Sequence, residues 1–339
     1  MNRQEAATYI CPATGSTLRL EILEAAGNEV LKGVFRNSED VSFVINQGIP
    51  NFTWPPVLRD SDEQTRQSYE NMANAYDLYA TLPFITYRAD EDAIRECLVD
   101  RMELRADSTV LEIGCGTGRS ASHFARRLGK QGKLYLQEIS PSLLGIAVAK
   151  LESQSISAEF SIANGSYLPF PDNYFDAAHH FGGINTFSEI QRCLSELARV
   201  VRPGGKVVLG DEGLGPWLRN TEMGRIMTNS NPLLRCDPPM EFLPVTATDV
   251  RLEYIMMSAF YVVDFRVAEA APLPDYNMQI PSVRGGSHWT RYHGQLEGVS
   301  DEAKRLSQEA RAKSGLSMHE WLDRVVRTAA NNELHNKPS

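Results

Sequence analysis

The sequence lacks the features of a membrane-spanning, disulfide-rich or zinc-binding protein. Its apolar runs fall short of the ~18 residues that a membrane-spanning helix needs. The first 15 residues contain no apolar segment of signal-peptide type. The five cysteines are scattered and form no CxxC pair, which excludes a disulfide framework and a cysteine-rich zinc site. We therefore expect a cytoplasmic protein with no membrane span and no bound metal.

Positive charge is also scarce. The chain carries 34 Lys and Arg against 43 Asp and Glu, a net charge of −9. A nucleic-acid partner normally requires a basic face, so we expect none here. With 339 residues, of which 42% are hydrophobic, the chain is long enough to bury a large core. These values are typical of a soluble globular protein built from one large domain or two modest ones.

The chain divides into three segments of different pattern. Residues 1–55 read as short strands separated by glycines, a small β-rich module. Residues 62–212 begin with a helical stretch and then alternate apolar strands with amphipathic helices, which indicates a doubly wound α/β fold with a mostly parallel sheet. Residues 213–339 are less regular: the run 253–267 fits a strand or a helix, and two helices end the chain.

The run "VLEIGCGTGRS", Val110–Ser120, predicts a ligand-binding turn after the first core strand. Gly114, Gly116 and Gly118 leave the backbone bare and permit positive φ, so that a ligand can touch main-chain atoms. Dinucleotide-binding turns usually read GxGxxG, whereas this turn reads GxGxG. The acid Glu112, two residues before the glycines, suits a ligand with a positive ammonium better than a pyrophosphate.

Two further polar residues end the next strands of the predicted sheet. Glu138 follows the last glycine by about 20 residues, the usual place of an acid that binds a ribose diol. Asn164 ends the third strand and offers the donor and acceptor needed to read an adenine edge. Ser140 and Pro141 predict a helix start directly after Glu138.

These motifs, with "ANGSYLPFPDNYFD" and "LARVVRPGGKVVL", resemble the class I S-adenosylmethionine-dependent methyltransferases, in the branch of the ubiquinone/menaquinone enzymes. The resemblance covers residues 70–212 and implies a Rossmann-like, seven-stranded sheet with a final antiparallel hairpin. It implies S-adenosyl-L-methionine as cofactor, with the ribose at Glu138 and the adenine by Asn164, where the family usually has Asp. The cofactor-binding residues that it implies are Tyr76, Glu112, Gly114, Cys115, Gly116, Gly118, Glu138, Ile139, Asn164, Gly165 and His180.

Residues 1–52 resemble the small zinc-ribbon modules found beside such enzymes. "YICPATG" keeps Cys11 but has Thr14 where the second cysteine would be, and "FRNSED" replaces the other cysteine pair. One cysteine cannot supply the four ligands of a structural zinc site. We expect a metal-free packing or docking unit.

The best candidate for a catalytic base is a histidine at the end of the fourth core strand. Strand alternation places His179 and His180 on opposite faces, and the family alignment puts His180 beside the cofactor. A purely structural histidine, bonded to backbone, is the alternative. Asp211 and Glu212 end the fifth strand at the same edge, where Glu212 either belongs to the pocket or caps the next loop. The loop "GGSHWTRYHG" with His288 and Trp289 either covers the acceptor or is an ordered surface loop with a buried tryptophan.

Taken together, the sequence predicts a methyltransferase that acts on a small aromatic or lipidic acceptor. Three alternatives remain: an RNA methyltransferase, a catalytically inactive cofactor-binding partner protein, and a nicotinamide oxidoreductase. The acidic balance disfavours the first, and the missing last glycine disfavours the third. The target atom is not identified, and a homodimer is left open.

Overall fold

The computed structural model describes residues 1–282, 285–293 and 300–335. The chain forms two compact units, Met1–Ala271 and Pro272–Ser339. In the described parts of the chain, no helix combines the length and the apolar character needed to cross a bilayer.

The first unit is built on a seven-stranded sheet, as predicted. The strands are β5 (Thr109–Ile113), β6 (Lys133–Glu138), β7 (Glu159–Ile162), β8 (Phe175–Phe181), β9 (Val201–Glu212), β10 (Ala247–Ile255) and β11 (Phe260–Val267). Their order is β10-β11-β9-β8-β5-β6-β7. The strands from β5 to β9 run parallel, whereas β11 is antiparallel to both of its neighbours. The ambiguous run 253–267 is therefore a hairpin: its β-branched residues form two strands around a tight turn at 256–259.

The strand order indicates at which edge of this sheet a ligand would bind. From β5 the chain proceeds outward through β6 and β7, then returns to the other side of β5 with β8 and β9. The order thus reverses between β5 and β8, and ligands of open α/β sheets bind beyond the carboxyl ends of the strands at such a point. Gly114 follows β5, and His180 lies near the end of β8.

Helices cover both faces of the sheet and one helical pair closes its ligand-binding edge. The helices of the first unit are α1 (Asp60–Met72), α2 (Tyr76–Thr86), α3 (Glu91–Asp100), α4 (Ala121–Arg127), α5 (Pro141–Ser153), α6 (Ile190–Val200) and α7 (Glu222–Ser230). Helix α5 begins as predicted, with Ser140 as N-cap bonded to the Leu143 amide and Pro141 in the first turn.

The N-terminal module is a four-stranded antiparallel sheet that shares its core with the large sheet. Its strands are β1 (Arg19–Ala26), β2 (Glu29–Arg36), β3 (Ser42–Asn46) and β4 (Ile49–Pro50). Tyr9 packs against Phe35 and against Phe170 of the large domain, with ring centroids 5.9 and 5.5 Å apart. The Phe52 amide donates to the Ile162 carbonyl at 2.7 Å, which covers the exposed edge of β7.

The side-chain amide of Asn37 joins the two loops that would hold the metal in a zinc ribbon. The Asn37 amide nitrogen donates to Ser16 at 3.2 Å, to Thr14 at 3.4 Å and to the Cys11 sulfur at 3.6 Å. Its carbonyl oxygen accepts from the Glu39 and Val41 amides. A neutral amide thus ties the two loops together, and these donors do not suit zinc, which prefers thiolate and imidazole.

We expect Asn37→Ala to lower the free energy of unfolding by about 1–3 kcal/mol, because it leaves several part-buried polar groups without partners. Urea unfolding of the full chain measures the change. Ser38→Ala, at the exposed neighbouring position, is the matched control and should change stability by less than about 0.5 kcal/mol. Equal stability of the two variants would contradict a structural role for this cross-link.

The second unit contains the helices α8 (His288–His293), α9 (Asp301–Ser314) and α10 (Met318–His335). Helix α10 begins with a capping box: the Ser317 amide donates to Glu320, and the Glu320 amide donates to the Ser317 hydroxyl. The segment predicted as a loop with a buried tryptophan contains α8, and Trp289 is 53% exposed. Gly294 and the side chain of His293 lie outside the described residues.

Candidate functional site

A cleft opens at the carboxyl ends of β5, β6, β7 and β8, under the helices α1 and α2. This is the edge that the strand order marks for a ligand. Seven of the predicted cofactor residues line the cleft: Tyr76, Gly114, Glu138, Ile139, Asn164, Gly165 and His180. The other residues that line it are Asp62, Thr65, Tyr69, Leu143, Ala163, Gly182, Gly183, Thr186 and Phe187.

The glycine turn brings bare backbone against two aromatic side chains. Gly114 has φ 59°, and a Cβ there would lie 3.0 Å from the His180 ring. Gly116 has φ 55°, and a Cβ there would lie 3.2 Å from the Tyr76 ring. Any larger residue would push these rings into the cleft, so the turn requires glycine for both conformation and space.

Glu138 is held in place by the backbone of the same region. Its carboxylate accepts hydrogen bonds from the amides of Gly116 at 2.9 Å, Ile139 at 2.9 Å and Ser140 at 3.0 Å. Burial raises the pKa of Glu138, and these three amides act in the opposite direction. The oxygen that accepts from Gly116 keeps a free lone pair, so the side chain can still accept a hydrogen bond from a ligand hydroxyl.

His180 presents a free acceptor nitrogen. Its Nδ1 lies 2.8 Å from the Ile113 carbonyl, which only accepts, so Nδ1 carries the proton. Nε2 is buried and has no hydrogen-bond partner among the described residues. Burial lowers the pKa of His180, which keeps the ring neutral. Nε2 therefore carries a lone pair that no described residue uses.

Asn164 shares its end of the cleft with an acid that the sequence did not reveal. Its carbonyl oxygen accepts from the Ser166 amide, and its nitrogen lies 3.4 Å from the carboxylate of Asp62 on α1. Asp62 also accepts from the Ser188 amide at 2.9 Å and is buried. Where the family usually has Asp, this chain therefore pairs an amide with a carboxylate from another element.

Glu112 lies away from the cleft-lining residues. Its carboxylate is buried and pairs with His179 Nδ1 at 3.1 Å, while His179 packs edge-on against Phe124 of α4. Strand alternation turns these side chains away from His180, as predicted for His179. Cys115 is also buried, which raises the pKa of its thiol and keeps it neutral. A direct contact of Glu112 or Cys115 with a cofactor remains a prediction.

The acids at the end of β9 bind neighbouring loops. Asp211 accepts from the Asn185 amide at 2.8 Å, which fastens the loop after β8. Glu212 accepts from the Asn231 side chain at 2.8 Å and is absent from the described residues that line the cleft. The geometry thus favours the capping alternative for both residues. A catalytic role of Glu212 stays an untested prediction.

Three carboxylates fasten the helices α1 and α2 over the cleft, and sequence reasoning missed all three. Asp62 binds Ser188 after β8, Glu70 binds Ser140 and Ser142 after β6, and Asp77 binds Thr117 and Arg119 in the glycine turn. In the sequence, these three acids are separated by eight and seven residues and lie on the same stretch as Tyr69 and Tyr76. This spacing is the signal that could have indicated a shared role.

Fold and cleft together define an open α/β protein with a cleft at its topological switch point. Residues 110–205 match the methyltransferase domain family. This segment of the chain is therefore similar to a methyltransferase domain.

Several relatives share this part of the chain. The ubiquinone/menaquinone biosynthesis C-methyltransferase UbiE of Chromobacterium violaceum is 38% identical over 104 residues, 31% of this chain and 43% of that protein. The enzyme of the same name from Yersinia pestis is 35% identical over 163 residues, 47% of this chain and 63% of that protein. The chain thus spans about half the length of these relatives.

A solved structure shares the fold. Phosphoethanolamine N-methyltransferase 2 of Haemonchus contortus, in complex with S-adenosyl-L-methionine, superimposes with a TM-score of 0.50 at 13% identity, covering 67% of this chain and 63% of that one. The cleft of this chain suits the same cofactor. Glu138 offers an acceptor to a ribose hydroxyl, and the bare turn at Gly114 and Gly116 leaves a cradle that a Cβ would fill.

Proposed function

We propose that this protein is an S-adenosylmethionine-dependent methyltransferase that acts on a small aromatic or lipidic acceptor in the cytoplasm. The observation that carries the proposal is one cleft with two complementary features. The backbone holds the Glu138 carboxylate in the lining of the cleft, and the same lining contains His180, whose buried Nε2 has no partner among the described residues. A group that binds a ribose and a group that accepts a proton thus share one cleft.

The cleft lining and the relatives both favour a small acceptor. No lysine or arginine is among the described residues that line the cleft, so RNA phosphate would find no counter-charge there. Leu143, Ala163 and Phe187 supply apolar walls. The relatives named above are quinone C-methyltransferases by name, enzymes for small molecules.

The chain's own residues would act by binding, orientation and proton transfer. When bound, the cofactor supplies an electrophilic methyl group on a sulfonium. Glu138 and the glycine turn would hold it, with Asn164 and Asp62 at the adenine end and Tyr76 above. His180 Nε2 would take the proton that the acceptor loses, since Nδ1 is fixed to the Ile113 carbonyl. Close alignment of the acceptor with the methyl group would supply much of the rest of the rate enhancement of methyl transfer.

Calorimetry with S-adenosylmethionine and with NAD separates the main alternatives. We expect binding of the first and not of the second; NAD binding alone would refute the proposal. Transfer of a labelled methyl group into a cell extract, with and without nuclease, then tests the acceptor class. Label in small molecules supports the proposal, and nuclease-sensitive label indicates an RNA methyltransferase. Binding without any transfer indicates the inactive partner protein.

We expect Glu138→Ala to weaken S-adenosylmethionine binding about 10- to 100-fold, because hydrogen bonds to a charged group are worth roughly 1.5–3 kcal/mol. Calorimetry on the full chain measures the loss. Glu152→Ala, at an exposed position of α5, is the matched control and should leave the affinity unchanged. Thermal unfolding without ligand shows whether the Glu138 variant is folded. Unchanged affinity in a folded Glu138 variant would contradict its assignment to the cofactor.

A further inference from the structure

The two edges of the large sheet differ. The N-terminal module covers the outer side of β7, whereas no strand pairs with the outer side of β10 among the described residues. We propose that β10 pairs antiparallel with β10 of a second copy of this chain, on a two-fold axis through Leu252. The two seven-stranded sheets would then form one continuous sheet. The inference does not depend on the proposed function, because β10 adds no residue to the described lining of the cleft.

The outer side of β10 offers backbone groups for this pairing. On its inner side, residues 251–255 pair in continuous register with β11. On its outer side, the amides and carbonyls of residues 248–255 have no backbone partner in the described structure. The middle of the strand, residues 249–253, is exposed, and Leu252 keeps 42% of its surface accessible. An exposed edge strand of this kind is a template for pairing with another chain.

Within the regular part of β10, only one register joins opposite charges. A bulge between Thr248 and Arg251 excludes registers centred before it. Directly opposed residues lie on the same face of a sheet, so the two-fold axis passes through a residue. An axis through Arg251 or Glu253 would oppose two like charges, which destabilises a strand pair. An axis through Leu252 instead opposes Leu252 to its own copy and Arg251 to Glu253 of the second copy, twice by symmetry.

Both charged side chains are available for this contact. Glu253 is 54% exposed although Arg101 of α3 contacts its carboxylate. Arg251 is exposed and forms no ion pair within the described parts of the chain. Glu253 would thus bridge Arg101 of its own chain and Arg251 of the second copy. On the other face of the strand, Leu252 would bury apolar surface against its copy.

The first test measures dimerisation of the full chain by sedimentation velocity over a dilution series. We expect a species of twice the chain mass at high concentration. Arg251→Glu and Glu253→Lys each create two like-charge contacts, so each should weaken dimerisation about 10- to 100-fold. An equimolar mixture of the two variants restores opposite charges at both contacts and should dimerise as the wild type does. Arg36→Glu, the same change at an exposed position of β2, is the matched control and should leave dimerisation unchanged.

The second test places a cysteine on the two-fold axis. Leu252→Cys would face its own copy at the Cα distance of directly opposed residues, about 4.5–5.5 Å, which a disulfide spans. Val250→Cys, at a similarly exposed position of β10, would lie about 13 Å from its copy along the strands and should not cross-link. Non-reducing electrophoresis after mild oxidation measures the cross-linked fraction. The wild type, which has the exposed Cys97, gives the background.

Three results would each overturn the inference: a monomer at every concentration, a dimer that the charge variants leave unchanged, and equal cross-linking of the two cysteine variants. Recovery of the dimer in the mixture of charge variants excludes misfolding as the cause of their weakened association. Binding of S-adenosylmethionine, measured in parallel, tests the proposed function separately. Cofactor binding without a dimer removes only this inference, and a dimer without cofactor binding removes only that function.

Discussion

We expect His180→Asn to lower kcat by about 100- to 10,000-fold, the usual contribution of a positioned general base. Asparagine keeps a nitrogen donor near the position of Nδ1, so the hydrogen bond to the Ile113 carbonyl can persist. The substitution deletes Nε2, the ring nitrogen of His180 that is buried without a partner among the described residues. Cofactor affinity should fall far less than the rate, because the ring edge rather than Nε2 packs on Gly114.

The pH dependence gives a readout that a merely structural histidine would not change. Burial lowers the pKa of His180 below its usual value of 6.5. Asp211 and Glu112 favour its cation, and His179 disfavours it. Because the base acts in its neutral form, kcat should fall as the pH drops below this lowered pKa and should be constant above it. The acid limb of the profile should disappear in His180→Asn.

A second substitution at this position separates proton acceptance from shape. His180→Gln places an amide near the position of Nε2 and removes the donor toward Ile113. An amide does not take up a proton near neutral pH, so this variant should be as slow as His180→Asn if proton acceptance matters. A variant that keeps more than half of the wild-type kcat, with an unchanged acid limb, would show that His180 is not the base.

Local sequence signals were sufficient for the central part of the site. Gly114, Glu138 and Asn164 each lie at the end of a core strand or within two residues after it, and strand ends of a parallel sheet meet at one edge whatever the helices do. Positive φ at the glycines and the start of α5 could likewise be predicted, because each depends on a few neighbouring residues. The final hairpin was expected only from the family resemblance, since the run 253–267 by itself fitted a strand or a helix.

The remaining part of the site depends on contacts that are distant in sequence. Asp62 reaches Ser188 across 126 residues, and Asp77 reaches Thr117 across 40. In the sequence these acids look like ordinary solvent-exposed charges on a helix. The packing of the N-terminal module could not be predicted from the sequence either, because its Tyr9 contacts Phe170 only when both sheets have formed. The strands could be predicted, whereas their shared core could not.

We expect Asp264→Ala to lower the free energy of unfolding by about 3–5 kcal/mol, the usual cost of leaving one buried charge without its partner. Asp264 lies on β11, fully buried, and accepts from the Lys206 ammonium on β9 at 2.6 Å. The Lys206 side chain is also buried. Without Asp264, its ammonium would remain inside the sheet with no counter-charge at that distance. Urea unfolding of the full chain measures the loss.

Two controls separate the charge from the packing. Asp249→Ala, on the neighbouring β10, removes a carboxylate that is 70% exposed and pairs with Arg266 only at 3.6 Å, so it should cost less than about 1 kcal/mol. The double variant Lys206→Met with Asp264→Leu replaces both buried charges by apolar groups and should recover most of the lost stability. If the double variant is no more stable than Asp264→Ala, the loss comes from packing rather than from the unpaired ammonium. The pair would then stabilise β9 and β11 by shape alone.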